Sequence, residues 1–466
     1  MEENNQKSKT KNTSTITFYG GANTVTGSNF MFKDDVSGTT ILIDCGLLQG
    51  KKIAADENRK PFAYDPTKVD ILFITHAHID HIGLIPKLVK EGFHGKIYST
   101  PPTREIAEHM LVDSMGVLGK EAKRDGLPVI YDAEDVRKAM ALWETIPYHK
   151  ATDMPGGFQI TLLDAGHILG SAMVEIVRDG RKIVFTGDLG NSPAPLLRDT
   201  EKLKGVHYLI MESVYGDRNH ETRAERKQML EDVIEETVLA GGTLMVPAFS
   251  LERTQILLFE IKDLVDNGRI PKVPIFLDSP LAIKVTGVYK KSAEYFNTNA
   301  HDIVTGGEDV FKFPNLKFSM ETEESKAIAG VPSPKVIIAG SGMSNGGRII
   351  HHEKMYLPDP KNTLLIIGYQ AAGTPGRMLA DGVKNVKILG TEVPVNARIA
   401  KISGYSAHKD SDGLVDLVKD TADSLEKVFV TMGEPKSATF LAQRLRDYLG
   451  VQAVLPEQWQ SIQVDV

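Results

Sequence analysis

The run His76-Ala-His78-Ile-Asp80-His81 places three imidazoles and a carboxylate within six consecutive residues. Imidazole nitrogen and carboxylate oxygen are both good donors to zinc or manganese. A single cation would not use all four groups, so the run suits two cations held close together. Two further segments share one build, a strand-like stretch followed by a glycine turn that carries a ligand type: Asp164-Ala-Gly-His167 and Phe185-Thr-Gly-Asp188. Taken singly, a histidine or aspartate is readily explained as a packed or solvated residue. Four ligand residues in one short run are not explained that way.

The elements that must position these groups are legible in the hydrophobic pattern. Val69-Asp-Ile-Leu-Phe-Ile-Thr75 is short, apolar and β-branched, which predicts a strand buried on both faces. The histidine run begins directly after it and therefore sits in a strand-to-helix loop. Strands are also predicted over 14–19, 39–44, 158–164, 173–177 and 182–186, and helices over 84–91, 103–121 and 133–148. Loops on one rim of a sheet converge, so His167 and Asp188 can complete the site. From about Tyr215 the pattern changes to an alternation of helices (223–240, 253–267) with strands (242–247, 273–277, 335–339, 363–367). Such alternation argues for an open α/β sheet distinct from the β-rich start. A strand-rich piece over 393–403 then precedes a helix at 411–420 and a strand at 427–431. The reading is an α/β domain inserted into a β-sandwich-type domain. Its parts are a disordered polar tail over 1–14, a first sandwich part over 15–213, the insertion over 214–390, and a last sandwich part over 391–466.

Composition bounds the class. A chain of 466 residues has room for two or three domains of roughly 150 residues each. Hydrophobic residues at 41% and charged residues at 25% are ordinary for a soluble globular protein and exclude disorder throughout. The net charge of −7 argues against a protein that coats nucleic acid, but not against a local basic cleft, because charge acts over only about 8 Å at physiological salt. The single cysteine, Cys45, excludes an intramolecular disulfide and fits a reducing compartment; its place at an apolar strand end suits packing. The polar N-terminus is neither a signal peptide nor an anchor, and no run of about 18 apolar residues spans a membrane, so the expected place is the cytoplasm.

The run Thr75-His-Ala-His-Ile-Asp-His-Ile-Gly83, with Asp44, His167 and Asp188 in order, resembles the metallo-β-lactamase superfamily. Met211-Glu-Ser-Val-Tyr-Gly216, Ser341-Gly-Met-Ser-Asn-Gly-Gly-Arg348 and Gly404-Tyr-Ser-Ala-His408 are similar to segments of its β-CASP nuclease branch, which includes the cleavage and polyadenylation endonuclease and ribonuclease J. The resemblance covers nearly everything after the tail. It implies an αββα sandwich with an inserted β-CASP α/β domain over the metal site. It further implies that His76, His78 and His167 bind one metal, Asp80 and His81 the other, with Asp188 bridging and Asp44 orienting. Zinc, as one or two ions, is the implied cofactor and manganese the alternative. Two metals about 3.5 to 4 Å apart lower the pKa of a shared water and stabilise in-line displacement at phosphorus. In the branch, the histidine at the place of His408 gives the leaving oxygen its proton, oriented by the acid at the place of Glu212. Asp80 and Asp188 count among the catalytic groups as well as the ligands.

Weaker candidates follow from the same resemblance. Ala248-Phe-Ser-Leu-Glu-Arg-Thr-Gln255 is similar to the segment whose arginine lies near the RNA backbone, which makes Arg253 a candidate phosphate contact, although the family has glycine where Glu252 stands. The glycine-rich loop with Ser341 and Arg348, and the pair Tyr405 and Ser406, are candidate substrate contacts or plain turn residues. Asp278 and Ser279 read as structural.

One departure stands out. Where the family has a His-Gly-Glu turn whose histidine is the last ligand of the second metal, this chain has Thr431-Met-Gly-Glu434. The thioether of Met432 is a poor ligand for zinc or manganese, so the second metal keeps Asp80, His81, Asp188 and water, at lower affinity. The function implied is a metal-dependent nuclease, endonuclease or 5′-end exonuclease, hydrolysing single-stranded RNA in processing or decay, with DNA as an alternative substrate and a homodimer as a compatible state. Two other classes stay open: a catalytically weak or inactive RNA-binding scaffold, and a small-molecule metallohydrolase. The large insertion argues against the last, because a roofed groove suits a chain.

Overall fold

The computed structural model describes residues 13–466 apart from positions 51, 369 and 372. The expected tail lies outside the described residues except at its end, where Thr13 and Ser14 already belong to the strand Thr13–Phe18. That strand buries every second residue, Ser14, Ile16 and Phe18, as a strand does when one face meets a core.

Two seven-stranded sheets stack face to face. The first runs in the order Ser461–Asp465, Thr13–Phe18, Phe30–Asp34, Thr40–Ile43, Ile71–Phe73, Lys96–Ser99, Trp143–Thr145. The second runs Ala453–Val454, Lys427–Val430, Tyr208–Met211, Arg181–Phe185, Ala172–Arg178, Phe158–Asp164, Thr152–Met154. Between them Phe32, Ile41 and Phe73 of one sheet meet Phe158, Ile183, Phe185 and Phe429 of the other in an apolar layer. Helices cover the outer faces. Ser411–Lys419 and Pro435–Leu449 lay Leu414, Val418, Leu441 and Leu445 on Val184, Leu209 and Val428 of the second sheet. Each fully buried aliphatic side chain of this kind contributes about 1.5–3 kcal/mol.

The third sheet belongs to the insertion. Its six strands are Leu316–Phe318, Ile275–Asp278, Lys335–Ala339, Thr243–Pro247, Thr363–Ile367 and Arg398–Ile402, all paired in parallel. Thr243–Pro247 and Thr363–Ile367 are buried at every position, because helices cover both faces. The helices Pro101–Asp125 of the sandwich and Pro280–Lys291 of the insertion share one continuous apolar cluster, through Ile106 and Leu111 on one side and Val285 and Tyr289 on the other.

Three expectations need correction. The strand Arg398–Ile402 is the edge of the inserted sheet, so the insertion extends past 390 and the strand-rich piece over 393–403 divides. Its first part, Thr391–Pro394, forms a hairpin with Asn385–Ile388. The helix expected over 133–148 stops at Ala141, because Trp143–Thr145 pairs in parallel with Lys96–Ser99 and its backbone groups go to that ladder.

Candidate active site

Strand direction gathers the ligands. Arg181–Phe185, Tyr208–Met211 and Lys427–Val430 are parallel neighbours, and Phe158–Asp164 runs the same way because two antiparallel pairings separate it from Arg181–Phe185. Their C-terminal ends therefore share one rim, which carries His167, Asp188, Glu212 and Met432. Thr40–Ile43 and Ile71–Phe73 of the facing sheet are parallel too, and they bring Asp44 and the histidine run to the same edge.

Close approach of these loops depends on small residues. A Cβ on Gly46 would lie 1.6 Å from the carbonyl oxygen of Asp80, and one on Gly187 2.6 Å from the Thr75 side chain. Only glycine lets the loops close, and Gly187 also holds φ +54.

The result is a cluster in which ligand atoms of His76, His78, His167 and Asp188 all lie within 4.8 Å of one another. Nε2 of His76 is 3.1 Å from Nδ1 of His78, and Nε2 of His167 is 3.3 Å from that same nitrogen. Oδ2 of Asp188 stands 3.5 Å from Nε2 of His76 and 3.6 Å from Nε2 of His167. Burial, the largest influence on each, holds His76, His78 and His167 below the usual imidazole range. Neutral imidazoles with free lone pairs are what a cation needs. On the other side of Asp188, its Oδ1 lies 3.5 Å from Nε2 of His81, with Oδ2 of Asp80 4.0 Å from that nitrogen. Oδ1 of Asp188 and Nε2 of His81 are buried and have no hydrogen-bond partner among the described residues. A buried polar atom left unpaired costs about 1–3 kcal/mol, and a cation between these two would satisfy both. The donor set therefore suits a cation among His76, His78, His167 and Asp188, and the unpaired Asp188 Oδ1 and His81 Nε2 face each other beside it.

Asp44 acts on the histidines and not on the cluster centre. Its carboxylate accepts from the backbone N–H of Thr75 at 2.8 Å and from Ser28 Oγ at 3.0 Å, and pairs with Nδ1 of His81 at 2.6 Å. That bond fixes the His81 ring with Nε2 toward Asp188. Burial disfavours a charged His81, yet Asp188 and Asp44 outweigh it and hold its pKa well above the usual range.

The acid side is tied to the same place. Oε1 of Glu212 accepts the Leu189 N–H at 2.7 Å, next to Asp188 in the chain, and pairs with Nδ1 of His408 at 3.1 Å. Nδ1 of His408 is 3.8 Å from Oδ2 of Asp188. The His408 loop is stitched to the Asp188 loop by Lys409 N–H to Leu189 C=O at 2.8 Å and Asn191 N–H to Ala407 C=O at 2.9 Å. His220, a residue without a sequence signal, supports the loop from behind by donating Nε2–H to the His408 carbonyl at 3.0 Å. Burial lowers the pKa of His408, but the carboxylates of Glu212 and Asp188 prevail and raise it.

The weaker candidates separate. Arg253 is buried at 6% exposure with Nε unpaired among the described residues, its guanidinium 5.0 Å from the Phe249 ring. Its positive charge is among the smaller influences that lower His78 and His408. Arg348 is not brought there: it donates to Asp278 and to the carbonyls of Ser319 and Met320, each at 2.8 Å. Its Nη1 and Nη2 are thereby held within the insertion. Tyr405 is fully buried with its hydroxyl on Glu260. Ser406 is buried and its Oγ accepts the His408 N–H at 3.4 Å, while Ser341 Oγ accepts the Asn345 N–H at 3.0 Å within its own loop. Asp278 collects Arg348, His352 and Ser325. Cys45 is fully buried, and burial pushes its thiol far above the usual range. Met432 is 2% exposed and lines a small cavity with Asp44, Thr75, Gly187 and Glu212, so its thioether stands under the metal rim and offers no hard donor.

A double β sandwich with a histidine and aspartate rim under an inserted α/β domain defines a metallo-hydrolase. The comparisons agree on which kind. Residues 33–209 match the metallo-beta-lactamase superfamily domain, 254–379 the Beta-Casp domain, and 392–456 the Zn-dependent metallo-hydrolase RNA specificity domain. A ribonuclease of Thermus thermophilus is 36% identical over 398 residues, 85% of this chain and 89% of its own length. The transcription termination factor FttA of Methanosarcina mazei is 32% identical over 94% of this chain and 69% of its own. An RNase J-like protein of Methanocaldococcus jannaschii is 31% identical over 89% and 92%. In three dimensions the chain is similar to a protein of unknown function from Enterococcus faecalis V583, with TM-score 0.52 and 13% identity over 97% of this chain and 100% of that one. The chain belongs to the β-CASP branch of the metallo-β-lactamase superfamily.

Proposed function

We propose that this protein is a metal-dependent ribonuclease that hydrolyses phosphodiester bonds of single-stranded RNA in processing or decay. The observation that carries the reading is the His408–Glu212 pair, held 3.8 Å from Asp188 by the backbone stitching of two loops. A scaffold that only bound RNA would have no physical need of an oriented proton donor beside the metal cluster. Names of the relatives, a ribonuclease, an RNase J-like protein and a transcription termination factor, support RNA as the substrate.

His76, His78, His167 and Asp188 would hold one cation, and Asp80, His81 and Asp188 the other. Zinc is the expected metal and manganese the alternative. When bound, such cations supply a nucleophile from water at neutral pH and stabilise charge at phosphorus. The chain's own residues do the rest. Arg253, whose Nε has no partner among the described residues, offers its guanidinium to a phosphate. Glu212 holds Nδ1 of His408, which leaves Nε2 to deliver a proton to the departing oxygen. Asp44 keeps the His81 ring in register. The catalytically weak reading is favoured by Met432 at the rim and by the net charge of −7.

Digestion of end-labelled RNA and DNA with defined 5′ ends, with metal content measured on the same sample, tests the proposal. Cutting of RNA, internally or from the 5′ end, supports it; cutting of DNA alone, or of neither in metal-loaded protein, overturns it. Among the described residues no helix is long and apolar enough to cross a membrane.

A further inference from the structure

A buried chain of hydrogen bonds joins the insertion to the metal rim, and the chemistry above does not use it. The Arg253 N–H donates to the Leu251 carbonyl at 2.9 Å, which closes a three-residue γ-turn with Glu252 at its centre. Glu252 has φ 64 and ψ −58, the positive-φ form that is rare and strained for a residue with a Cβ. Such strain persists only where the surroundings over-determine it. Here they do. Glu252 is 3% exposed, and its carboxylate accepts the hydroxyl of Tyr289 from the helix Pro280–Lys291. The Tyr289 oxygen in turn accepts the backbone N–H of Leu169 at 3.2 Å. Leu169 lies two positions after His167, and Arg253 lies one position after Glu252. Three segments distant in the chain therefore meet at one hydroxyl.

The same turn starts the helix Arg253–Asp266, so its geometry fixes the direction in which Arg253 leaves the backbone. Arg253 has no ion pair among the described residues and keeps an unpaired Nε. A glycine at the turn would adopt this conformation without strain. The side chain present instead gains one contact, and that contact is the link to the metal loop.

We propose that Glu252 and Tyr289 form an interdomain latch that positions Arg253, and the RNA phosphate it takes, against the loop of His167. Both are positioning residues, and neither touches reacting atoms. The inference rests on the reading of Arg253 as a phosphate contact. The latch ties two functions that the fold places on different domains: phosphate capture on the insertion and metal ligation on the sandwich.

Two measurements on the full, metal-loaded chain test it. The first is hydrogen exchange followed by mass spectrometry in peptides covering residues 166–171 and 249–256. Tyr289→Phe, which keeps the ring volume, and Glu252→Gly should each speed exchange in both peptides by about fivefold or more, whereas Glu252→Gln, whose amide oxygen still accepts the hydroxyl, should leave it within about twofold. The second is binding of a fluorescein-labelled single-stranded oligouridylate. Tyr289→Phe and Glu252→Gly should weaken it by about fivefold, and Tyr289→Phe should add less than about twofold in an Arg253→Ala background, because residues acting through one another are not additive. Unchanged exchange at 166–171 in Glu252→Gly overturns the latch, as does a full fivefold loss from Tyr289→Phe without Arg253. An oligonucleotide affinity indifferent to Arg253→Ala removes the phosphate reading instead, and the exchange arm then decides the latch by itself.

Discussion

The carboxylate of Glu212 stands 3.1 Å from Nδ1 of His408, although 196 residues separate them. Glu212 follows the last sandwich strand before the insertion, and His408 lies on the stretch that returns from it. The pair is thus assembled at the two places where the chain passes between domains. That position brings the proposed proton donor to the cluster of His76, His78, His167 and Asp188, all of which precede position 189.

Replacing His408 by alanine is expected to lower single-turnover cleavage of RNA by about 10²–10⁴-fold, the usual worth of a positioned proton donor. Metal content, read by mass spectrometry of the elements, should stay unchanged, since no cation in the assigned set uses this ring. Full activity in the variant would remove His408 from the chemistry.

Met432 sets the second expectation. The unaltered chain should keep one tight cation through dialysis and lose most of a second, because the Asp80, His81 and Asp188 side ends in a thioether and not an imidazole. Met432→His should raise the number retained, and Met432→Leu, close in volume, should not. Two tight cations in the unaltered protein would contradict the assignment.

RNA affinity should fall steeply with salt. Arg253→Ala is expected to weaken binding and to reduce the slope of log affinity against log salt by about 0.7, the share of one phosphate contact on a single strand. A slope the variant does not change would place Arg253 off the RNA path.

Away from the site, Glu353 gives a pH signature. It is fully buried; one oxygen takes the Ser344 hydroxyl and the other has no partner among the described residues. Burial pushes its carboxyl from 4.5 to about 7. The folded state therefore holds this proton more tightly than the unfolded chain, so stability is undiminished below about pH 4.5 and declines as pH rises toward 7, by about 3 kcal/mol in full. Glu353→Gln should flatten that decline between about pH 5 and about pH 8 in urea denaturation. A decline of the same size in the variant would place its origin elsewhere. Glu252 and Asp164, both also raised to about 7 by burial, leave a remaining slope of the same sign.

The metal rim was legible because ligand chemistry is carried by residue type and by position after a strand, and His76, His78, Asp80, His81, His167 and Asp188 satisfy both. The strands Lys335–Ala339, Thr363–Ile367 and Phe158–Asp164 have the bounds their apolar patterns predict. What escaped depends on partners far away in the chain. Arg348 has the same local sequence whether it meets a phosphate or Asp278, and only the third sheet brings Asp278 to it. Tyr405 presents a recognisable segment, yet Glu260 on another helix takes its hydroxyl. The strand Arg398–Ile402 reads as strand from its pattern, but which sheet it joins is decided by Thr363–Ile367 beside it.

The strand Tyr208–Met211 gains its parallel neighbour Lys427–Val430 only after the whole insertion has been made. During synthesis the metal ligands emerge early and the proton donor some 220 residues later than Asp188, as the positions 188 and 408 show. Domains tend to form as the ribosome delivers them. A chain interrupted before His408 would lack both that residue and the strands and helices that complete the sandwich. On the proposed mechanism such an unfinished copy has no donor for the leaving oxygen, so cutting waits for the second half of the sandwich.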